Sequence, residues 1–147
     1  MSRVRVIGVG SPFAADHLAW NVIDLLNQQE DLHDVECISL DRPGMALIEY
    51  FKDIEKVILL DAMRAGKRPG EIMHIDINEI EQQKQIHSSH GFGVAEALEL
   101  AKTLGQLPDQ LHILAMETGC EEDWRPTDKD IEHMTENVVV VISRNQV

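Results

Sequence analysis

Short apolar runs alternate with amphipathic segments along the whole chain. The run over residues 4–9 is typical of a buried strand, and glycine and proline residues within 8–12 turn the chain at its end. Apolar residues then recur every three or four positions, which predicts a helix over about residues 16–28. A strand, a glycine-rich turn and a helix in this order form the first half of a βαβ unit, and ligands of open parallel sheets bind at such turns.

The rest of the chain continues this alternation. Thr127 and Asp130 have the pattern of a capping box, and the apolar positions after them recur at helical spacing, so we predict a helix there. The β-branched run over residues 138–142 leaves a strand as the alternative. Further strands are predicted over residues 35–40, 56–60, 72–77 and 111–116, and further helices over 45–51 and 94–104.

Strands that alternate with helices are typical of an α/β fold. The alternation predicts a three-layer sandwich, in which a mostly parallel sheet of roughly five strands has helices on both faces. The chain has 147 residues and shows no internal repeat, linker or low-complexity tract. We therefore expect residues 1–147 to form a single domain.

The chain is strongly acidic, with 13 Lys and Arg residues against 26 Asp and Glu residues and a net charge of −13. This balance argues against nucleic acid as a partner, because contacts with phosphates need clustered cations, and it disfavours anionic membrane surfaces. No apolar stretch approaches the roughly 20 residues of a membrane span. Cys37 lies in an apolar run and Cys120 in a polar loop, so they do not indicate a disulfide framework. A soluble protein of the reducing cytoplasm is expected.

Three segments bring metal-binding side chains to the predicted carboxyl edge of the sheet. Asp16 and His17 lie where the first helix begins, Asp61 follows an apolar strand, and His90 lies in a loop before a helix. Imidazole and carboxylate groups are common ligands of zinc, nickel, iron and copper. A set of His17, Asp61 and His90 would leave coordination positions open for water or substrate, as a catalytic site requires.

Each of these residues also has a simpler interpretation. Asp16 could only cap the helix, which the residues alone favour, and His17 could be an exposed residue of its first turn. Asp61 could start a turn, and His90 is one of seven histidines, most of which we assign to the surface. The Gly8-x-Gly10 pattern could cradle a dinucleotide, but it lacks the third glycine of the usual fingerprint.

Four short motifs occur in a fixed order along nearly the whole chain. A Gly-x-Gly turn precedes an Asp-His pair, an apolar strand ends in Asp-Ala, a Pro-Gly pair precedes a strand, and a Ser-x-His loop precedes a helix. These motifs are Gly8-Val9-Gly10-Ser11 with Asp16-His17, Ile58-Leu59-Leu60-Asp61-Ala62, Pro69-Gly70 and Ser88-Ser89-His90. In this order they resemble the hydrogenase maturation endopeptidases, which remove a C-terminal extension from the large subunit of nickel–iron hydrogenases.

The resemblance implies a function and a site. Carried over by position, the family's metal ligands fall on His17, Asp61 and His90, and Asp16 completes the implied catalytic set. The nickel is already bound in the precursor and serves as a recognition element, and a nearby water attacks the scissile carbonyl. The implied partner is the large-subunit precursor, and the protein is expected to act on it as a monomer.

The chain departs from the family pattern in its first motif. His17 stands where an acidic residue is expected, and Ser11 replaces asparagine. Asp16, the first acidic residue of the motif, is retained and could serve as the ligand instead. An alternative hypothesis is therefore a catalytically impaired relative, which binds the precursor tail or the metal without cleaving. Asp41 could line a peptide groove, although a role in the turn with Pro43 and Gly44 is the simpler interpretation.

Overall fold

The computed structural model describes residues 3–32, 34–82, 87–88 and 93–144. Strands and α-helices follow one another along the chain, and two 3₁₀ helices lie between them. The strands are β1 (Val4–Gly10), β2 (Val35–Asp41), β3 (Lys56–Arg64), β4 (Ile72–Ile75), β5 (His87–Ser88) and β6 (Gln110–Glu117). The α-helices are α1 (Leu18–Asn27), α2 (Ile77–Gln82), α3 (Val94–Thr103) and α4 (Asp128–Ser143), and the 3₁₀ helices are Ala14–His17 and Gly44–Phe51.

The strands form one mostly parallel sheet in the order β2-β1-β3-β6-β4. Strands β2, β1, β3 and β6 are parallel, β4 pairs antiparallel with β6, and the two-residue β5 pairs antiparallel with β3. Apolar residues on the two faces of the sheet belong to two separate core clusters. Helices α1 and α4 cover one face, and α3 with the second 3₁₀ helix covers the other. The predicted α/β sandwich is confirmed.

The central strand β3 is buried on both faces of the sheet. Val57, Leu59 and Met63 belong to the cluster beneath α3, whereas Ile58 and Leu60 belong to the cluster beneath α1 and α4. A strand that is covered on both faces has no polar side to present to water, so its side chains do not alternate in polarity. No helix in the described part of the chain is both long enough and apolar enough to cross a membrane.

Several predicted boundaries need correction. Strand β3 continues through Asp61 to Arg64, because β6 and then β5 pair with its extension. The predicted first helix begins as a 3₁₀ turn, the segment at 45–51 is entirely 3₁₀, and β5 lies in a segment predicted as loop. The helix predicted after Thr127 is confirmed as α4, and its capping box with Asp130 is present. The alternative of a strand over residues 138–142 is therefore wrong.

A buried lysine joins β3 to the end of α4. The Lys56 side chain is 5% exposed, and its ammonium group donates hydrogen bonds to the carbonyl oxygens of Val141, Ile142 and Arg144. These carbonyls lie at the end of α4, where further helical N–H donors are missing, so the lysine supplies donors and adds a positive charge at the negative end of the helix dipole. The Val141 carbonyl oxygen also accepts a hydrogen bond of 3.3 Å from the Arg144 N–H. Burial, together with Arg144, lowers the pKa of Lys56.

A histidine pair lies next to this lysine on the same face of the sheet. His112 on β6 is 5% exposed, and its Nδ1 lies 3.3 Å from Nε2 of His74 on β4. Nε2 of His112 is buried and has no hydrogen-bond partner among the residues that the structure describes. Burial, and then the charges of His74, Lys56 and Arg144, lower the pKa of His112 from its ordinary value of 6.5.

We expect the free energy of unfolding to fall as the pH drops below about 6.5, because the unfolded chain then binds a proton that folded His112 does not. Between the lowered folded pKa and the unfolded pKa, stability therefore increases with pH. His112→Gln should flatten this slope, measured by urea unfolding between about pH 5 and 8. The matched variant of exposed His133, His133→Gln, should keep it. An unchanged slope in His112→Gln would contradict this assignment.

Candidate functional site

In the turn after β1, two glycines lie against the backbone of the segment that follows the turn. A Cβ atom at Gly10 would lie 2.4 Å from the carbonyl oxygen of Asp16, and one at Gly8 would lie 2.9 Å from the carbonyl oxygen of Ala19. Only glycine fits these positions without a shift of the chain. The Ser11 N–H donates to the carbonyl oxygen of Asp16 at 3.2 Å and closes the turn. Asp16 is thereby held next to the carboxyl end of β1.

Asp16 and His17 are the last residues of the first 3₁₀ helix, which contacts β3. Both are half-buried. The N-cap residues of this helix and of α1 are Phe13 and His17, so Asp16 does not occupy the N-cap position of either helix. The Ser11 hydroxyl instead donates a long hydrogen bond of 3.4 Å to Asp16 Oδ2.

His17 is oriented by two neighbours on α1. Its Nδ1 lies 2.9 Å from Oδ1 of Asn21, and in the neutral tautomer that donates Nδ1–H to this oxygen, Nε2 presents a lone pair. The ring packs edge-on against Trp20, with 5.1 Å between centroids. The Trp20 indole N–H donates to the carbonyl oxygen of Leu40 at 3.1 Å and ties this cluster to β2. This tautomer is suited to metal binding through Nε2.

Asp61 lies on β3 where one neighbouring strand ends. It is 1% exposed, and its Oδ1 accepts a hydrogen bond of 2.9 Å from the Ala62 N–H. On one side Asp61 pairs with Ala115 of β6. On the other side, among the described residues, pairing with β1 stops at Leu60 and pairing with β5 starts at Met63. The buried carboxylate therefore lies at an interruption in the sheet, beside the strand that leads to Asp16.

A second buried carboxylate, Glu117, was missed in the sequence. It is 1% exposed at the end of β6, and its two oxygens accept hydrogen bonds of 2.8, 2.8 and 2.9 Å from the N–H groups of Ala65, Lys67 and Gly119. These bonds fix the loop that follows β3. The sequence signal that could have identified Glu117 is an acidic residue directly after an apolar run. Asp61 shows the same signal.

The predicted site residues are only partly described. The first 3₁₀ helix, with Asp16 and His17, contacts the strand that carries Asp61. His90 lies outside the described residues, as do the remaining members of its loop over 89–92. Within the described ranges, no group of three or more His, Cys, Asp or Glu side chains could hold a metal ion. The proposed triad therefore stays a prediction.

An aromatic residue and an arginine lie at the rim of this turn. The Arg42 N–H donates to the carbonyl oxygen of Gly10 at 2.9 Å, and its guanidinium group lies over the Phe13 ring, 5.6 Å from the centroid. Asp41, the exposed last residue of β2, accepts a hydrogen bond of 2.7 Å from Arg42 Nε. Ala14 and Arg42 both have positive φ angles, of 53° and 43°, in a region that L-residues rarely adopt.

The two cysteines differ in burial. Burial, and then the charge of Glu36, raise the pKa of Cys37 to about 11, so its thiolate is scarce at neutral pH. Cys120 is exposed, as expected from its polar loop, and both cysteines are free thiols.

Comparison with known proteins identifies a family. The sequence pattern of a family described as hydrogenase maturation protease (HycI) matches residues 20–144. The hydrogenase expression/formation protein HupD of Rhizobium leguminosarum bv. viciae is 24% identical over 127 residues, which are 83% of this chain and 62% of that relative. The match thus spans about three fifths of the relative's length.

Solved structures share the fold. The hydrogenase maturating endopeptidase HybD from E. coli superposes with a TM-score of 0.76 at 23% identity, over 95% of this chain and 91% of the other. The nickel–iron hydrogenase maturation protease HybD from Thermococcus kodakarensis superposes with a TM-score of 0.68 at 18% identity, over 95% and 96%. At these identities the superpositions establish a common architecture.

Proposed function

The chain belongs to the hydrogenase maturation protease family, and we propose that it is an endopeptidase that removes the C-terminal extension of a nickel–iron hydrogenase large-subunit precursor. The observation that carries this proposal is the buried carboxylate of Asp61. It lies at an interruption of the sheet, on the strand contacted by the turn that holds Asp16 and His17. This edge of an α/β sheet is where ligands bind.

The side chains of this edge suit a substrate that carries nickel. We propose that His17, Asp61 and His90 contact the nickel of the precursor, with Asp16 beside them. Imidazole and carboxylate ligands fit nickel, and a neutral His17 that donates Nδ1–H to Asn21 would bind it through Nε2. The nickel is part of the substrate, so a precursor without nickel lacks the ion that these side chains would bind.

The proposed reaction is the hydrolysis of one peptide bond. A water molecule attacks the scissile carbonyl carbon, the new C–O bond forms, and the C–N bond breaks. The leaving nitrogen takes a proton from the attacking water, and in this proposal the half-buried carboxylate of Asp16 passes that proton on. The ion in the substrate can polarise the carbonyl oxygen or the attacking water.

We expect incubation with a nickel-loaded precursor to shorten that precursor at its C-terminus, because the three side chains need the bound metal to position the scissile bond. Intact-mass spectrometry measures the product. The same precursor without nickel is the matched control and should stay full length. A full-length nickel-loaded precursor, under conditions in which E. coli HybD processes its own substrate, would contradict the proposal.

A binding protein without protease activity is the second candidate. The observation that favours it is His17, which replaces an expected acidic residue and already bonds Asn21. Such a protein would form a stable complex with an uncut precursor. Release of a shortened precursor over several turnovers excludes this candidate, whereas a stoichiometric uncut complex on gel filtration supports it.

A further inference from the structure

Two large apolar side chains are exposed at the edge of the sheet that carries the site. Phe13 is 63% exposed, and Met45, at the start of the second 3₁₀ helix, is 49% exposed. Leu104, which is 56% exposed, lies instead after α3, on the way to the amino end of β6. Aromatic residues are enriched at the centres of protein interfaces, so the exposed Phe13 beside the site is a candidate contact for a protein partner.

Phe13 is held in place although it is exposed. Its N–H donates to the Ser11 hydroxyl at 3.3 Å, and its carbonyl oxygen accepts from the Asp16 N–H at 3.1 Å. The Arg42 guanidinium covers the ring, and Arg42 is itself bonded to Asp41 and to the Gly10 carbonyl oxygen. A side chain that is already ordered loses little conformational entropy when a partner binds.

The site constrains what must cover Phe13. Phe13 precedes Asp16 by three residues, and the rise of a 3₁₀ helix is about 2 Å per residue, so the two residues are roughly 6 Å apart along the turn. A precursor whose nickel comes within about 2 Å of a ligand in this turn therefore brings its own surface close to Phe13. The exposed ring thus lies within reach of a precursor bound at the site.

Charge indicates the chemistry of the occupant. Asp41 neutralises Arg42 at 2.7 Å, so the surface around the Phe13 ring offers an aromatic face and a compensated ion pair. This surface suits an apolar side chain better than a strongly charged one. A second copy of this chain is disfavoured, because each copy carries a net charge of −13 and the two repel.

We propose that Phe13, backed by Arg42, docks an apolar side chain of the hydrogenase precursor next to its nickel-bearing segment. This proposal rests on the proposed function and deepens it, since it names a residue that selects the substrate. Phe13 contributes binding to the ground state and the transition state alike, so its loss raises KM and leaves kcat unchanged.

We expect Phe13→Ala to raise KM for the nickel-loaded precursor at least about tenfold with kcat within about twofold, as removal of an aromatic anchor does. Phe13→Leu should keep most of the affinity, because it retains an apolar surface. The matched control Leu104→Ala removes a similarly exposed apolar side chain far from the site and should change neither constant. Thermal unfolding of each variant should match the wild type, because these side chains are exposed.

The outcomes separate this proposal from the proposed function. A wild-type protein that does not shorten the precursor overturns both. A wild type that cleaves, with Phe13→Ala unchanged in KM, overturns the docking role alone. A lowered kcat at unchanged KM also overturns it, because Phe13 would then orient the turn at Asp16. A wild-type dimer that Phe13→Ala dissociates on gel filtration would make a second copy the occupant and overturn it as well.

Discussion

Asp61→Asn is expected to lower kcat/KM for the nickel-loaded precursor by at least about a hundredfold, which corresponds to roughly 3 kcal/mol of lost transition-state stabilisation. Asparagine is nearly isosteric and keeps the Oδ1 that accepts the Ala62 N–H, but it removes the negative charge that would face the nickel. The substitution thus tests the negative charge of Asp61 while the local hydrogen bond is kept. Progress of cleavage, followed by intact-mass spectrometry, measures the effect.

Two controls make this prediction specific to the site. Asp24→Asn neutralises an exposed carboxylate on α1 and should leave processing unchanged. Thermal unfolding of Asp61→Asn should show that the protein is folded, because the hydrogen bond to Ala62 remains available. If folded Asp61→Asn cleaves at the wild-type rate, Asp61 is not part of the site and the set of proposed ligands has to be replaced.

The second large effect is expected for the residue of the first motif that contacts the nickel, which is either His17 or Asp16. If His17 is the ligand, His17→Ala should strongly weaken engagement of the nickel-loaded precursor, and His17→Asp should retain or strengthen it. Asn21→Ala should then lower the affinity by about 10- to 100-fold, because Asn21 fixes the tautomer that presents Nε2. Binding of the nickel-loaded and nickel-free precursors, measured by calorimetry, gives the metal-dependent part of the affinity.

The opposite outcome has an equally definite meaning. If Asp16→Ala removes both binding and cleavage, while His17→Ala and Asn21→Ala leave them unchanged, then Asp16 is the ligand. The Ser11 hydroxyl that bonds Asp16 would in that case take the orienting role. His17 would then serve to pack against Trp20, and the position carried over from the family would be wrong by one residue.

The architecture could be predicted because the apolar pattern of each segment agrees with the position of that segment in the fold. The apolar runs at β1, β3 and β6 have no polar face, as expected for strands covered on both sides, and the capping box at Thr127 starts α4 as predicted. The end of β3 could not be predicted. Its extension past Asp61 depends on pairing with β6 and β5, which are distant in sequence, and periodicity within one segment carries no information about such partners.

The candidate site could be proposed from residue types in the sequence, but the contacts around it could not. The motifs single out Asp16, His17 and Asp61, which the fold brings to one edge. Glu117 and Arg42 act through hydrogen bonds and ring contacts that exist only after the loops have packed. A spacing rule describes neighbours on one helix or strand, so it can find Asn21 beside His17 but cannot place the arginine that follows β2 over Phe13.

The bond between Lys56 and the end of α4 has a consequence for the order in which the protein is assembled. The lysine belongs to the third strand, whereas its three carbonyl partners follow it by 85 to 88 residues. During synthesis this ammonium group therefore stays solvated until the segment that carries these carbonyls has been made. The core between the sheet and α4 can close only then, because α4 follows all strands of the described sheet in the sequence. Closure of this face is a late and non-local event, of the kind that slows folding.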